Sequence, residues 1–468
     1  MGAKPAEVIE MKLSGIRTIV PDNHEISDKI VKVIYNEAEL IASKVVNRSE
    51  QSVDLDRRLD DILTSRLFGY PIMILILGII LWLTISGANY PSQVLSDLLF
   101  RIEKVIGTIF SFIGAPDWLY GFLVQGVYRS LAWVVSVMLP PMAIFFPLFT
   151  ILEDLGYLPR VAFNMDNLFC RAGACGKQAL TMCMGFGCNA AGVIACRIIE
   201  SPRERLIAIL TNSFVPCNGR FPLLITMAVI FLGGMIWNAA NITATLAVVA
   251  AVLIGIMVTL LVSSLLSKTL LKGIPSFFAL EMPSYRKPMF GQIIVRSILD
   301  RTMFVLSRAI IVAAPAGGII WILANISIGD MSMLAHAASF LDPFARLIGL
   351  DGIILMAFIL GLPANELVIP LMIMGYMATG SLQDVQSLAA LKTMLVDQHG
   401  WTYITAICVM LFSLLHYPCA TTLLTIYRET KSFKWTLLSF IIPLVTACTV
   451  CFLVAQAVRI FLIFPFTW

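Results

Sequence analysis

Charge is what this 468-residue sequence has least of. Asp, Glu, Lys and Arg together make up 13% of it, about half the share usual in soluble domains. That is too little to wet the surface of a water-soluble fold of this size. The net charge of +4 is small, and the basic residues sit in short clusters between apolar runs. That placement excludes a basic face for nucleic acid and suits juxtamembrane loops. No GxxxxGK[ST] occurs, so these residues hold no phosphate-cradling loop, and no HExxH or nucleophile–base set points to an enzyme. Histidine occurs only four times. The ten cysteines lie in or beside apolar segments, without the spacing of a secreted disulfide scaffold. Residues 1–66 are polar and contain no signal-peptide core, so the first span doubles as the insertion signal.

What the sequence has in quantity is apolar surface. Hydrophobic residues reach 59%, and the mean hydropathy is +0.88. They form runs such as Thr243–Leu266, which carries no charge and has the length needed to cross a hydrocarbon core of roughly 30 Å. The apolar segments read as 70–86, 124–151, 178–196, 206–235, 243–266, 303–325, 352–378, 401–425 and 436–458. The third is short and rich in Gly and Cys, so a broken or re-entrant helix is expected there. The fourth carries Pro216, Arg220 and Pro222 and reads as two half-helices. The fold expected is an all-α polytopic membrane protein of about eight transmembrane helices plus half-helices, embedded in a lipid bilayer. Arg57, Arg58 and Arg66 put the N-terminus on the cytoplasmic side, and Arg428, Lys431 and Lys434 put the last loop there too. Residues 27–46 and 54–66 read as amphipathic helices before the first span. Pro283 and Pro288 favour an extended linker in the central polar stretch.

One internal repeat is visible. GFGCNAAGVI (185–194) aligns with GLPANELVIP (361–370), pairing Gly185 with Gly361 and Asn189 with Asn365. Each decapeptide places a helix-disrupting residue, Gly187 or Pro363, two positions before its Asn. Hydrocarbon cannot satisfy a freed N–H or C=O, so such breaks survive only inside protein or beside a wet cavity. Paired broken helices hold substrates near mid-membrane in many transporters.

Glu366 is the only carboxylate between Asp351 and Asp384. A charge at the bilayer centre costs about 2.5–3.5 kcal/mol on insertion scales, so it is expected to bind a cation, accept a proton or pair with a buried Arg, for which Arg220 is the candidate. Cys188, Cys217 and Cys419 each sit beside a helix-interrupting or small residue. Thiolate favours transition metals, whereas carboxylate and amide oxygens favour harder ions, so a mixed Cys/Asn/Glu set fits borderline Fe²⁺. Such a site must stay weak or transient to release its ion. Methionines are expected to pack, and His416, three positions before Cys419, is a minor candidate.

GYLPRVAFNMD (156–166), GFGCN (185–189), ESPRER (200–205), FVPCNGRFP (214–222), EMPSYRKP (281–288), GLPANE (361–366) and CATTLLTIYRETKSFKW (419–435) together resemble the membrane portion of the ferrous iron transport protein B family. The resemblance covers nearly the whole chain. It implies Fe²⁺ as a transported substrate, no permanently bound cofactor, no enzymatic role and a location in the cytoplasmic membrane. It also implies two gate halves, expected at 126–270 and 302–425. Around these lie an amphipathic segment at 1–66, a first span and following loop at 67–125, a linker at 271–301, and a last loop and span at 426–468. Family members carry membrane cysteines proposed to lie along the ion path, which match Cys188, Cys217 and Cys419, and their LPANE motif supports Glu366. Family members typically open with a GTP-binding domain, which the residues here do not match. The expectation is therefore a separate GTPase polypeptide as partner, or transport without nucleotide control; a homo-oligomer is the other partner considered. Another divalent metal or a nucleoside-like solute, and a non-transport membrane assembly, are the alternative functions.

Overall fold

A computed structural model describes residues 32–463 apart from short stretches, chiefly 45–49, 233–239, 274–284 and 383–387, and isolated positions elsewhere. Most of EMPSYRKP, and so the expected linker conformation, lies outside the described residues. Residues up to Asp61 form one compact unit and Ile62–Trp468 another. The first contains helix α1 (32–41) and most of α2 (Glu50–Leu63).

Among the described residues the second unit's regular structure is helical except for one two-stranded hairpin, β1 (Ser327–Ile328) with β2 (Met331–Ser332). Among the described residues seven helices are long and apolar enough to cross a membrane, or eight if one pair bent by 110° counts as a span. The chain is a multi-pass membrane protein.

Helix α3 (Gly69–Ile113) runs 45 residues, about 67 Å at 1.5 Å per residue. That is roughly twice the hydrocarbon thickness. The stretch after residue 86, read from sequence as a loop, is therefore helical, and Pro91 lies within it. Its polar residues broke the apolar run without breaking the helix. Tertiary contacts hold it: Arg129 closes on the buried Glu103 carboxylate at 2.7 Å and also donates to Ser381 Oγ at 3.1 Å. The helix ends at Gly114, whose φ of 68° lets the last carbonyls be capped.

Helix α4 (Asp117–Asp154) returns along α3. Its glycines permit close approach to α11 (Met303–Asn325): a Cβ on Gly126 would fall 3.1 Å from the Gly317 carbonyl oxygen. Small residues at such crossings let backbones touch where no hydrophobic force separates protein from lipid. Helix α5 (Tyr157–Arg171) is amphipathic and leads into the first broken pair.

Four interrupted spans make the centre. They are α6 (Lys177–Gly187) with α7 (Asn189–Ala195), and α8 (Pro202–Thr211) with α9 (Phe221–Met227). Helix α10 (Ala240–Lys268) closes the first half. After α11, α12 (Met333–Leu347) bends by 110° into α13 (Gly352–Leu360), which breaks before α14 (Val368–Tyr376). The fourth is α15 (Tyr403–Leu415) with α16 (Ala420–Thr430), and α17 (Phe433–Ile463) ends the bundle. Burial decides which spans are central. The most apolar windows of the α8–α9 and α15–α16 spans are 72% and 67% buried, against 19% for α3 and 22% for α17.

Candidate functional site

The two decapeptides of the repeat break in the same way. Cys188 leaves α6 with φ −156° and ψ 126°; Ala364 leaves the α13 end with φ −153° and ψ 123°. Each is an extended residue directly before an Asn that starts the next helical segment. The other two interruptions also share a plan. Cys217 and Cys419, each following a proline, are extended residues immediately before Asn218–Arg220 and α16.

Local chemistry explains the first break. Gly187 has no room for a side chain, since a Cβ there would land 2.5 Å from Phe145 Cε1. The Asn189 carboxamide, with its nitrogen turned toward them, donates to the Gly185 and Val215 carbonyls at 3.2 Å each. Asn212 in turn donates to the Asn189 carbonyl at 2.9 Å. Carbonyls freed by the interruption thus find amides instead of oil.

The breaks are also tied to one another. The Ala420 N–H donates to the Leu362 carbonyl at 2.8 Å, and Tyr417 Oη donates to the Phe358 carbonyl at 2.8 Å. Arg220, 1% exposed, donates to Ser213 O at 2.6 Å, Leu414 O at 2.8 Å, His416 O at 2.9 Å and Tyr417 O at 3.1 Å. It joins the second interruption to the fourth. Among the described residues it makes no ion pair with Glu366, so the pairing suggested by sequence gives way to a backbone clamp. A forked guanidinium can meet several carbonyls at once, which a lone carboxylate partner would not require.

A cavity of about 30 Å³ lies where the four breaks meet, and Cys188, Asn189, Cys217, Asn365, Glu366 and Cys419 all line it. A water needs about 10–15 Å³ of such space, so the cavity suits one or two waters or one largely dehydrated ion. Asn365 Nδ2 approaches Cys217 Sγ at 3.8 Å, and its buried Oδ1 has no hydrogen-bond partner. Cys419 Sγ lies 3.3 Å from Thr422 Oγ1. Glu366 rests on Gly219, where a Cβ would come 2.6 Å from the carboxylate carbon. No three His, Cys, Asp or Glu side chains among the described residues are grouped to hold one metal ion.

Among the lining residues that sequence reasoning did not single out are Met138, Asn218 and Thr421. Asn218 and Thr421 adjoin or nearly adjoin Cys217 and Cys419, so the prolines before those cysteines were a usable signal. Met138 comes from α4, and nothing local marked it. His416 does not line the cavity. It is buried against Phe358 and Phe412, with Nδ1 2.9 Å from the Ser413 carbonyl.

Residues 135–231 and 306–433 match the family described as nucleoside recognition (Gate). Residues 248–300 match the family described as ferrous iron transport protein B C terminus. The chain matches the ferrous iron transport protein B family. An Fe(2+) transporter FeoB of Staphylococcus aureus (strain MSSA476) is 27% identical over 437 residues, covering 90% of this chain and 62% of the relative. The FeoB of Synechocystis sp. is 28% identical, covering 89% and 65%, and that of Methanocaldococcus jannaschii is 24% identical, covering 93% and 62%. The chain thus spans about three fifths of the length of these FeoB relatives. No solved structure matches.

Proposed function

We propose that this FeoB-family chain passes Fe²⁺ across the cytoplasmic membrane, through the cavity where its four interrupted helices meet. One observation carries the reading: three thiols, three carboxamides and one carboxylate, from both halves of the chain, line a single space of about 30 Å³. That donor mixture fits a borderline divalent ion better than Mg²⁺ or Ca²⁺. The volume argues against a nucleoside-like solute, since pockets for molecules of drug size run to about 300–1,000 Å³.

The ion sheds water and meets Cys188, Cys217 and Cys419, with the unpartnered Asn365 Oδ1 as a neutral oxygen donor. Helical segments begin beside the cavity at Asn189 and Asn218, and α16 begins next to the lining Cys419; the positive ends of helices repel a bare cation. Glu366 and the thiolates offset that repulsion. Asn189 holds the first break open by bonding its carbonyls. Donors spread along the cavity and not gathered round one point give weak, sequential coordination, as passage requires. Inward movement of Fe²⁺ is favoured by about 4.6 kcal/mol per 100 mV, twice the single-charge value, so nucleotide hydrolysis on a separate GTPase would serve gating. The N-terminus is cytoplasmic in this scheme.

The test is metal uptake into proteoliposomes holding this chain and an entrapped metal-quenched dye, with and without GTP and a candidate GTPase. Fe²⁺ should enter faster than Mg²⁺, and Cys188→Ser and Cys217→Ser should each cut the Fe²⁺ rate at least tenfold. Uptake equal to empty vesicles under every condition, or full uptake by both serine variants, overturns the proposal.

A further inference from the structure

A second cavity, of about 260 Å³, lies apart from the ion path among α3, α4, α5, α6 and α10. Its walls are Ala, Leu, Ile, Val, Phe and Met side chains, with Cys183 and two tyrosines as the remaining lining. The proposed transport makes no use of it. An apolar cavity of about 150 Å³ already accepts benzene, so this one has room for a longer piece of hydrocarbon.

The tyrosines differ. Tyr70 Oη is satisfied, donating to the Asn164 carbonyl at 2.8 Å. Tyr157 is 8% exposed, and its hydroxyl has no hydrogen-bond partner. Leaving such a group unpaired in apolar surroundings costs roughly 1–3 kcal/mol. A buried hydroxyl on an otherwise oily wall therefore calls for an acceptor carried in by an occupant.

Position identifies that occupant. Tyr157 is the first residue of α5, three residues beyond the end of the membrane-crossing α4 at Asp154. It follows the end of an apolar span and opens an amphipathic helix, a setting that suits tyrosine, with its apolar body and wet tip, to a membrane interface. The acceptors at that depth are the ester carbonyls of phospholipids, with acyl chains below them. We propose that the cavity is a lipid site: one acyl chain of a glycerophospholipid enters between α3 and α5, and its ester carbonyl accepts from Tyr157 Oη. Phe145 stands between the two cavities: it lines this one and packs on Gly187, which lines the ion cavity.

The full chain in nanodiscs of phosphatidylglycerol, doped with a phosphatidylglycerol bearing a diazirine on one acyl chain, tests this. Illumination should attach label to Met73, Val161 and Met182 inside the cavity as well as to Val445 and Leu453 on the outward face of α17. Tyr157→Phe should lower cavity labelling about fivefold, the value of one hydrogen bond, and leave α17 labelling unchanged. Replacing the ester lipid by its ether analogue should give the same loss in the parent chain and no further loss in Tyr157→Phe. Val161→Phe, or Ala179→Leu if that variant does not fold, should abolish cavity labelling by filling the space. Label confined to outward faces, or cavity labelling indifferent to both Tyr157→Phe and the ether lipid, overturns the proposal.

Discussion

Arg220→Met isolates the clamp that joins the interrupted helices. The substitution keeps a long flexible side chain and removes four hydrogen bonds, leaving the carbonyls of Ser213, Leu414, His416 and Tyr417 unpaired. Each unpaired buried group costs about 1–3 kcal/mol, so the gross loss is roughly 4–12 kcal/mol. Against this, the variant no longer buries a charge, a relief of several kcal/mol. Local relaxation recovers more. The net expected is a loss of about 3–5 kcal/mol, near the low end of the gross figure once the charge relief and relaxation are taken off. Thermal unfolding in detergent, followed by a dye that reports newly exposed thiols, has ten free cysteines to read. At about 2 °C per kcal/mol, the midpoint should fall by roughly 6–10 °C. Arg346→Met is the control: its side chain is 73% exposed and, among the described residues, pairs across one helical turn with Asp342, so a change near 1 °C is expected. Adding Glu366→Gln should not rescue Arg220→Met, because the carbonyls stay unpaired. A midpoint within 1 °C of the parent, or full rescue by Glu366→Gln, would refute the clamp and restore the ion pair as the reason for Arg220.

Gly187→Ala should cost about 1–3 kcal/mol by overpacking Phe145, seen as a midpoint lowered by some 2–6 °C; Phe145→Leu in the same chain should recover most of it. Glu366→Gln should lower Fe²⁺ uptake into proteoliposomes at least tenfold while moving the unfolding midpoint by less than 2 °C, and unchanged uptake would remove Glu366 from the path. Cys170, on α5 outside the spans, has its thiol pushed up to about 12 by burial and by the Asp166 carboxylate that accepts its S–H at 3.5 Å. A raised value keeps the neutral thiol through pH 9, and the thiolate is the nucleophile. Its alkylation by a maleimide, followed by peptide mass spectrometry, should be slow at pH 7–8, rise about tenfold per pH unit toward pH 10, and accelerate in Asp166→Asn.

Membrane spans were legible because they depend on a local property, the length of an apolar run against the thickness of a bilayer. The breaks were legible for a related reason. Gly187 and Pro363 disturb helices wherever they stand, and oil forbids the freed groups from going unsatisfied, so Cys188, Asn189, Asn365 and Glu366 stood out as residues needing a polar setting. Where locality failed, so did the reading. Residues 87–113 look like a loop by hydropathy, yet they remain helical because Glu103 finds Arg129, which is 26 positions away.

The sequence by itself determined that this chain lives in a bilayer, where its helices must be interrupted, and which thiols, amides and carboxylate stand at the interruptions. Only the tertiary structure decided that the four interruptions meet around one small space, that Met138 of α4 joins them, and that Arg220 serves backbone carbonyls up to 197 positions along the chain. The physical reason is one of range. Helix breaking and hydrocarbon solubility act over a few residues, whereas the partner of a buried guanidinium is set by which distant carbonyls the packed bundle leaves without one.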